Sequence, residues 1–306
     1  MTYMTGCKKY MRTLLVLGIL FFMFAMPVNA AKDSVKLAYV NWSSAIASTN
    51  LIKAVLQQKM GDHCAIQEMA ADEAWSAVAE GEVDGMLCAW LPLLHEHYKK
   101  EYKDEVVDLG PNLEGTKSGL VVPNISLGRQ TAGSGQINEP YIKADSIADL
   151  NNYKKKFNYK IVGIDPEAGV MKRAEEAMEA YGLDEYNLVQ GSEKIMTKAL
   201  DRAVSRQEWI VVTGWIPHWK FARWELKFLD DPKNVFGESG NINTIVRQGL
   251  KQDKPKVYEL LNNFYMEPEE LEKLMIWIHD KGGKYPYEQA LRYVRTNEDQ
   301  VNSWIP

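Results

Sequence analysis

From Val35 onward, short apolar runs alternate with longer stretches in which apolar residues recur every three or four positions. "VKLAYVNW" (35–42) gives way to "SAIASTNLIKAVLQQKMG" (44–61), then "CAIQEM" (64–69), "ADEAWSAVAEGE" (71–82) and "VDGMLCAW" (83–90). Brief apolar runs bounded by polar residues predict buried strands, and the wider spacing predicts amphipathic helices. The same alternation returns in "YKIVGID" (159–165), "GVMKRAEEAMEAYGL" (169–183), "YNLVQG" (186–191), "EKIMTKALDRAVSRQ" (193–207) and "EWIVVTGW" (208–215). Strand–helix alternation of this kind predicts an α/β protein with largely parallel sheets. From about Asn234 the chain reads as helices, "NINTIVRQGLKQ" (241–252) included.

The two βα blocks are joined by "KSGLVVP" (117–123) and "ELKFLDDP" (225–232). Two lobes with two crossing segments are therefore expected, residues 31–122 with 229–306 forming one and 123–228 the other. Residues 124–145, rich in Gly, Ser and Asn and without periodicity, read as an exposed excursion.

Composition alters this picture at the N-terminus. Lys8, Lys9 and Arg12 precede an apolar run from Leu14 to Met26, followed by "PVNAAKDS". A basic start, a run of about a dozen apolar residues and a small-x-small end describe a cleaved secretory leader over residues 1–30. The run is shorter than the roughly twenty residues a spanning helix needs, and no cysteine follows it to suggest a lipid anchor. Loss of the three leader cations moves the formal charge from −5 to −8. So acidic a mature chain, without a basic block, argues against nucleic acid as a partner. Cys64 and Cys88 then remain, at the start of one predicted parallel strand and the end of another, where a bridge is not expected.

Ligands of open α/β sheets collect beyond the carboxyl ends of the strands. Three of those ends carry the same side chain: Trp42 after "LAYVN", Trp90 after "GMLCA" and Trp215 after "VVTG". Indole faces recognise a cation that has no N–H to donate. Trp75, Trp209 and Trp277 lie within helical or apolar runs and read as packing residues, and Trp219 and Trp224 as packing for the loop behind Trp215. A fourth strand end, "GIDPEAGVM" (163–171), runs directly into a helix whose first N–H groups, at Gly169 and Val170, are free to hold an anion. Together these features describe a ligand with a bulky cation at one end and a carboxylate at the other.

"KLAYVNWSSAIAST", "AWLPLLHEHY", "DLGPNLEGTKSGLVVP", "GIDPEAGVM", "VVTGWIPHWKFARWELKFLDDP" and "VRQGL" resemble the substrate-binding proteins of glycine betaine ABC importers (OpuAC and ProX type) over nearly all of the mature chain. The resemblance implies a type II periplasmic-binding-protein fold, each lobe a mainly parallel sheet flanked by helices. It implies a cage of Trp42, Trp90 and Trp215 around a trimethylammonium group. It adds His95 to Gly169 and Val170 as a carboxylate ligand. It further implies a monomer in the periplasm that needs no cofactor and delivers its ligand to an ABC permease and its ATPase. Ser43, where relatives carry an acid, Glu167 and the long excursion depart from the pattern.

Other onium ligands fit the same residues: choline, carnitine, proline betaine or a sulfonium analogue. A secreted hydrolase built on His95, Glu96 and His97 is a rival of another class, but the chain has no Gly-x-Ser-x-Gly turn and no His-Glu-x-x-His helix. A ligand-sensing module for a membrane receptor would share the pocket and differ in its partner. His218 reads as support for the loop behind Trp215, and His279 as a surface residue near a helix end.

Overall fold

The computed structural model describes residues 34–126 and 139–306, so the leader-like segment lies outside the described residues, as does much of the excursion. Chain order begins β1 (Val35–Tyr39), α1 (Ser43–Val55), β2 (Cys64–Glu68), α2 (Ala71–Ala79), β3 (Gly85–Leu91), α3 (Glu96–Glu101) and β4 (Val106–Pro123). A second block follows: α4 (Leu150–Tyr153), β5 (Lys160–Val162), α5 (Gly169–Ala180), β6 (Asn187–Val189), α6 (Glu193–Arg206), β7 (Val212–Ile216), α7 (Lys220–Arg223) and β8 (Leu226–Phe228). The chain closes with β9 (Gly240–Arg247), α8 (Leu250–Asp253), α9 (Pro255–Asn263), α10 (Pro268–His279), α11 (Pro286–Thr296) and α12 (Glu298–Trp304).

Strand pairing builds two sheets that share one strand. In the first, β2, β1 and β3 are parallel, and β9 and β4 are added antiparallel. In the second, β6, β5 and β7 are parallel, and β4 pairs antiparallel with both β7 and β8. The 18-residue β4 passes from one sheet into the other: Val106–Thr116 lie against β9, and Lys117–Val121 against β7. Its register with β9 shifts three times, between Asp108 and Pro111, Pro111 and Leu113, and Glu114 and Thr116.

The apolar faces anticipated from the sequence fill the core. Leu51 and Ile52 of α1 are fully buried, as are Leu56 just beyond it and Leu37 of β1, while Met86 and Leu87 of β3 are buried at about 1% exposure. Burial of each such side chain is worth about 1.5–3 kcal/mol. Trp75 and Trp209 are packing residues here too: Trp75 stacks on Tyr98 and Tyr102, and Trp209 lies against Tyr153 and Phe157.

The helix expected over 241–252 fails at its start. "NINTIVR" is strand β9, not the start of a helical tail, and helices begin only at Leu250. Ile242, Ile245 and Val246 mimic helical spacing because the positions between them are buried and polar. Asn243 donates to Asp108 at 2.8 Å, and Thr244 accepts from Asn112 at 2.9 Å. With both strand faces covered, period-two alternation is lost.

Cys64 begins β2, whereas Cys88 lies in the middle of β3 rather than at its end; both are buried free thiols. No helix among the described residues is long and apolar enough to cross a membrane.

Candidate functional site

Trp90 and Trp215 do not follow their strands, as the apolar pattern implied, but are the penultimate residues of β3 and β7. Antiparallel partners extend each strand by two residues: Trp90 stands opposite Ile242 of β9, and Trp215 opposite Ser118 of β4. Trp42 does lie beyond its strand, at the N-cap of α1. After Trp90 and Trp215 the chain turns through cis Leu91–Pro92 and cis Ile216–Pro217 bonds, reaching His95 beyond β3 of the first sheet and His218 beyond β7 of the second.

All six residues singled out in the sequence line one pocket: Trp42, Trp90, His95, Gly169, Val170 and Trp215, with Leu94, Ile164 and Ala168 completing the wall. About 300 Å³ of space free of protein atoms lies between these residues, open solvent at the pocket mouth included. The three indoles are each no more than 5% exposed, so a cation among them would be desolvated, where the attraction of an aromatic face is largest, about 2 kcal/mol or more.

His95 is placed with its tautomer decided. Its Nδ1 accepts from the indole Nε1 of Trp75 and from the backbone N–H of Trp90, both at 3.3 Å. The proton therefore sits on Nε2, which makes that nitrogen the donor of the ring. Burial pushes the imidazole down to about 3, with His97 adding to the effect, so the ring is a neutral donor across the physiological range. Trp75, assigned to packing alone, is thus also the group that orients His95.

Gly169 and Val170 are the first two residues of α5, and their N–H groups are unpaired within the helix. Glycine is required at 169 for a reason unrelated to ligand access. A Cβ there would overlap the backbone carbonyl of Leu94, which packs directly against it.

Sequence reasoning missed the groups that hold the walls in place. The Trp42 indole donates to Asp165 at 3.3 Å. Asp165 has its acidity weakened by burial, which the Trp42 bond partly offsets. Behind Trp215, the wholly buried Lys220 places Nζ 4.1 Å from the ring centroid and finds no hydrogen-bond acceptor among the described residues. Burial pulls its ammonium down to about 7, with Glu193 opposing the shift. His218 meets the Trp215 ring edge-on at 5.0 Å, the support expected of it. Trp219 packs on Trp224 but also stacks on His279 at 3.6 Å, so neither is confined to the role read from the sequence. His97 packs on Tyr98, and no cluster of three metal-binding side chains occurs among the described residues.

Comparison with known proteins places this geometry. Residues 33–296 match the model of the substrate-binding domain of ABC-type glycine betaine transport systems. The structure of lactococcal OpuAC, closed and complexed with glycine betaine, is 38% identical, with a TM-score of 0.79 over 89% of this chain and 99% of that one. The glycine/betaine/L-proline-binding protein ProX of Borrelia burgdorferi is 37% identical, with a TM-score of 0.81 over 89% of this chain and 97% of that one. The glycine betaine/carnitine transport binding protein GbuC of Listeria monocytogenes is 43% identical over 175 residues, which span 56% of each chain. A choline-binding protein complexed with choline, at 22% identity and a TM-score of 0.76 over 90% of this chain, shares the two-lobed fold. The chain belongs to the family of substrate-binding domains of ABC-type glycine betaine transport systems.

Proposed function

We propose that the protein captures glycine betaine outside the cytoplasm and presents it to an ABC permease driven by a separate ATPase. The observation that carries this reading is the convergence of three indoles and a set of N–H donors on one pocket. Trp42, Trp90 and Trp215 surround the trimethylammonium group. The carboxylate accepts from His95 Nε2 and from the N–H groups of Gly169 and Val170, with the dipole of α5 behind them.

The lobes are residues 31–122 with 229–306, and residues 123–228. Trp42, Trp90 and His95 then come from the first, and Gly169, Val170 and Trp215 from the second. A ligand that touches both favours the closed arrangement by its differential affinity for it. The leader-like N-terminal pattern supports export, and the transport family supports an importer as partner. The chain acts as a monomer and catalyses no reaction.

Choline is the nearest alternative, since it shares the cation. The carboxylate end of the pocket consists of donors, which suit an anion better than a hydroxyl. Carnitine and proline betaine carry a carboxylate and are separated from glycine betaine by size.

Tryptophan fluorescence and calorimetry of the mature protein, titrated with glycine betaine, choline and carnitine, test the reading. Glycine betaine is expected to bind most tightly, and Trp90→Ala to weaken it at least 30-fold, equivalent to about 2 kcal/mol. No saturable response to any of the three would end the proposal. Binding of choline alone would keep the cage and remove the carboxylate assignment.

A further inference from the structure

The buried acid Glu193 has no place in the pocket. It is the first residue of α6, and with Ser43 and Trp219 it lines a separate open groove beside the aromatic pocket. Glu193 as a whole is 6% exposed. One oxygen accepts from the backbone N–H of Ser43 at 2.9 Å, and the other accepts from the Ser43 hydroxyl. His218 Nε2 lies 3.1 Å from that second oxygen, and the Trp219 indole donates to the Ser43 hydroxyl at 3.0 Å.

Helix α1 explains why this arrangement matters. Its N-cap is Trp42, which supplies no side-chain cap, and its first turn holds no acid. The opening N–H groups of a helix seek a partner, and a carboxylate there is favoured by the dipole. α1 receives its carboxylate from the opposite lobe. The residue immediately before the capped one is Trp42, a wall of the pocket.

We infer that Glu193 is a positioning residue that locks the closed form, capping α1 across the cleft and so fixing Trp42 over the ligand it does not itself touch. The inference rests on the proposed betaine-binding reading for its ligand. Opening the cleft would break both bonds to Ser43 and leave the start of α1 without a carboxylate, so Glu193 favours the closed form differentially. Apparent affinity scales with the closed fraction. Burial alone would make Glu193 a weaker acid, but His218 and the two Ser43 bonds hold it at about 2, so the cap is a carboxylate throughout the physiological range.

The test uses the full mature protein, with stopped-flow tryptophan fluorescence for rates and small-angle X-ray scattering for shape. Wild type and Trp90→Ala are run first with glycine betaine, so that failure of the ligand reading shows there. Glu193→Gln is then expected to raise Kd about 10-fold, almost all of it in faster dissociation, with association within 2-fold of wild type. Its ligand-free melting temperature should stay within about 2 °C of wild type. Ser43→Asp, which sets one carboxylate against another, is expected to do more. At saturating ligand it should leave a larger radius of gyration than wild type shows. Wild-type dissociation rates in both variants would overturn the inference. So would a loss confined to association, or one explained by a matching fall in ligand-free stability. A wild type that binds no onium ligand would instead remove the functional reading, and the scattering comparison of ligand-free wild type with Ser43→Asp would still show whether the cap closes the cleft.

Discussion

The two sheets each end a central strand in the same way, with a tryptophan, a cis proline and then a histidine, yet the two histidines face different groups. In each, Nδ1 accepts a backbone N–H: Trp90 supplies it to His95, and Lys220 to His218 at 3.0 Å. In each, burial holds the ring down, to about 3 for His95 and about 4 for His218, where the nearby Lys220 adds to the effect and Glu193 opposes it. What differs is the surroundings of Nε2. His95 lines the pocket, whereas His218 Nε2 stands against the Glu193 carboxylate. One local device faces the pocket and the other faces a buried carboxylate, and residue type alone does not separate them.

The largest expected effect breaks both arrangements at once. Gly169→Ala should push Leu94 away from α5 and keep the cleft from closing. We expect glycine betaine affinity to fall by at least about 100-fold while the ligand-free melting temperature changes little, since the overlap is between lobes. Calorimetry and a thermal melt check this, and a Kd within 3-fold of wild type would mean that the lobes accommodate the methyl group.

Replacing each histidine in turn sharpens the comparison. His95→Leu removes a neutral donor to a carboxylate and should weaken glycine betaine by about 10- to 100-fold. Choline, with no carboxylate, should be affected less. His218→Leu should cost only a few-fold, visible in dissociation rate and similar for both ligands. Equal losses in the two variants would erase the distinction between them.

The smallest effect concerns stability rather than binding. Lys220 has its folded-state value depressed to about 7 from an ordinary 10.5. Between those values the unfolded chain holds a proton that the folded chain lacks, so wild-type stability should rise as pH climbs from 7 towards 10. Lys220→Met removes the buried ammonium. It should raise the melting temperature by a few degrees at pH 6 to 7, with the gain shrinking towards pH 10. A pH-independent difference would show that Lys220 is not the titrating group.

The strand–helix alternation, the convergence of Trp42, Trp90 and Trp215 and the start of α5 were all legible in the sequence, because each is a local pattern with a local cause. β9 was not, because Asn243 and Thr244 are polar residues buried by specific partners, and no hydropathy rule anticipates a partner. Nor was Glu193. Following Ser192, which caps α6 through the N–H of Ile195, it reads as an ordinary first-turn acid, and nothing near it in the chain reveals that it caps a second helix. Trp75 looked like core and is core, yet its indole N–H also decides which nitrogen of His95 carries the proton.

Strand β4 has a mechanical consequence. A ribbon bonded without interruption through two sheets would resist bending along its whole length. Three register shifts with β9, crowded between Asp108 and Thr116, loosen the ladder just before β4 enters the second sheet at Lys117. Such irregularities concentrate twist and bend. β4 is therefore tied less regularly to β9 along that short section than along the rest of its length, and bending of the strand costs least there.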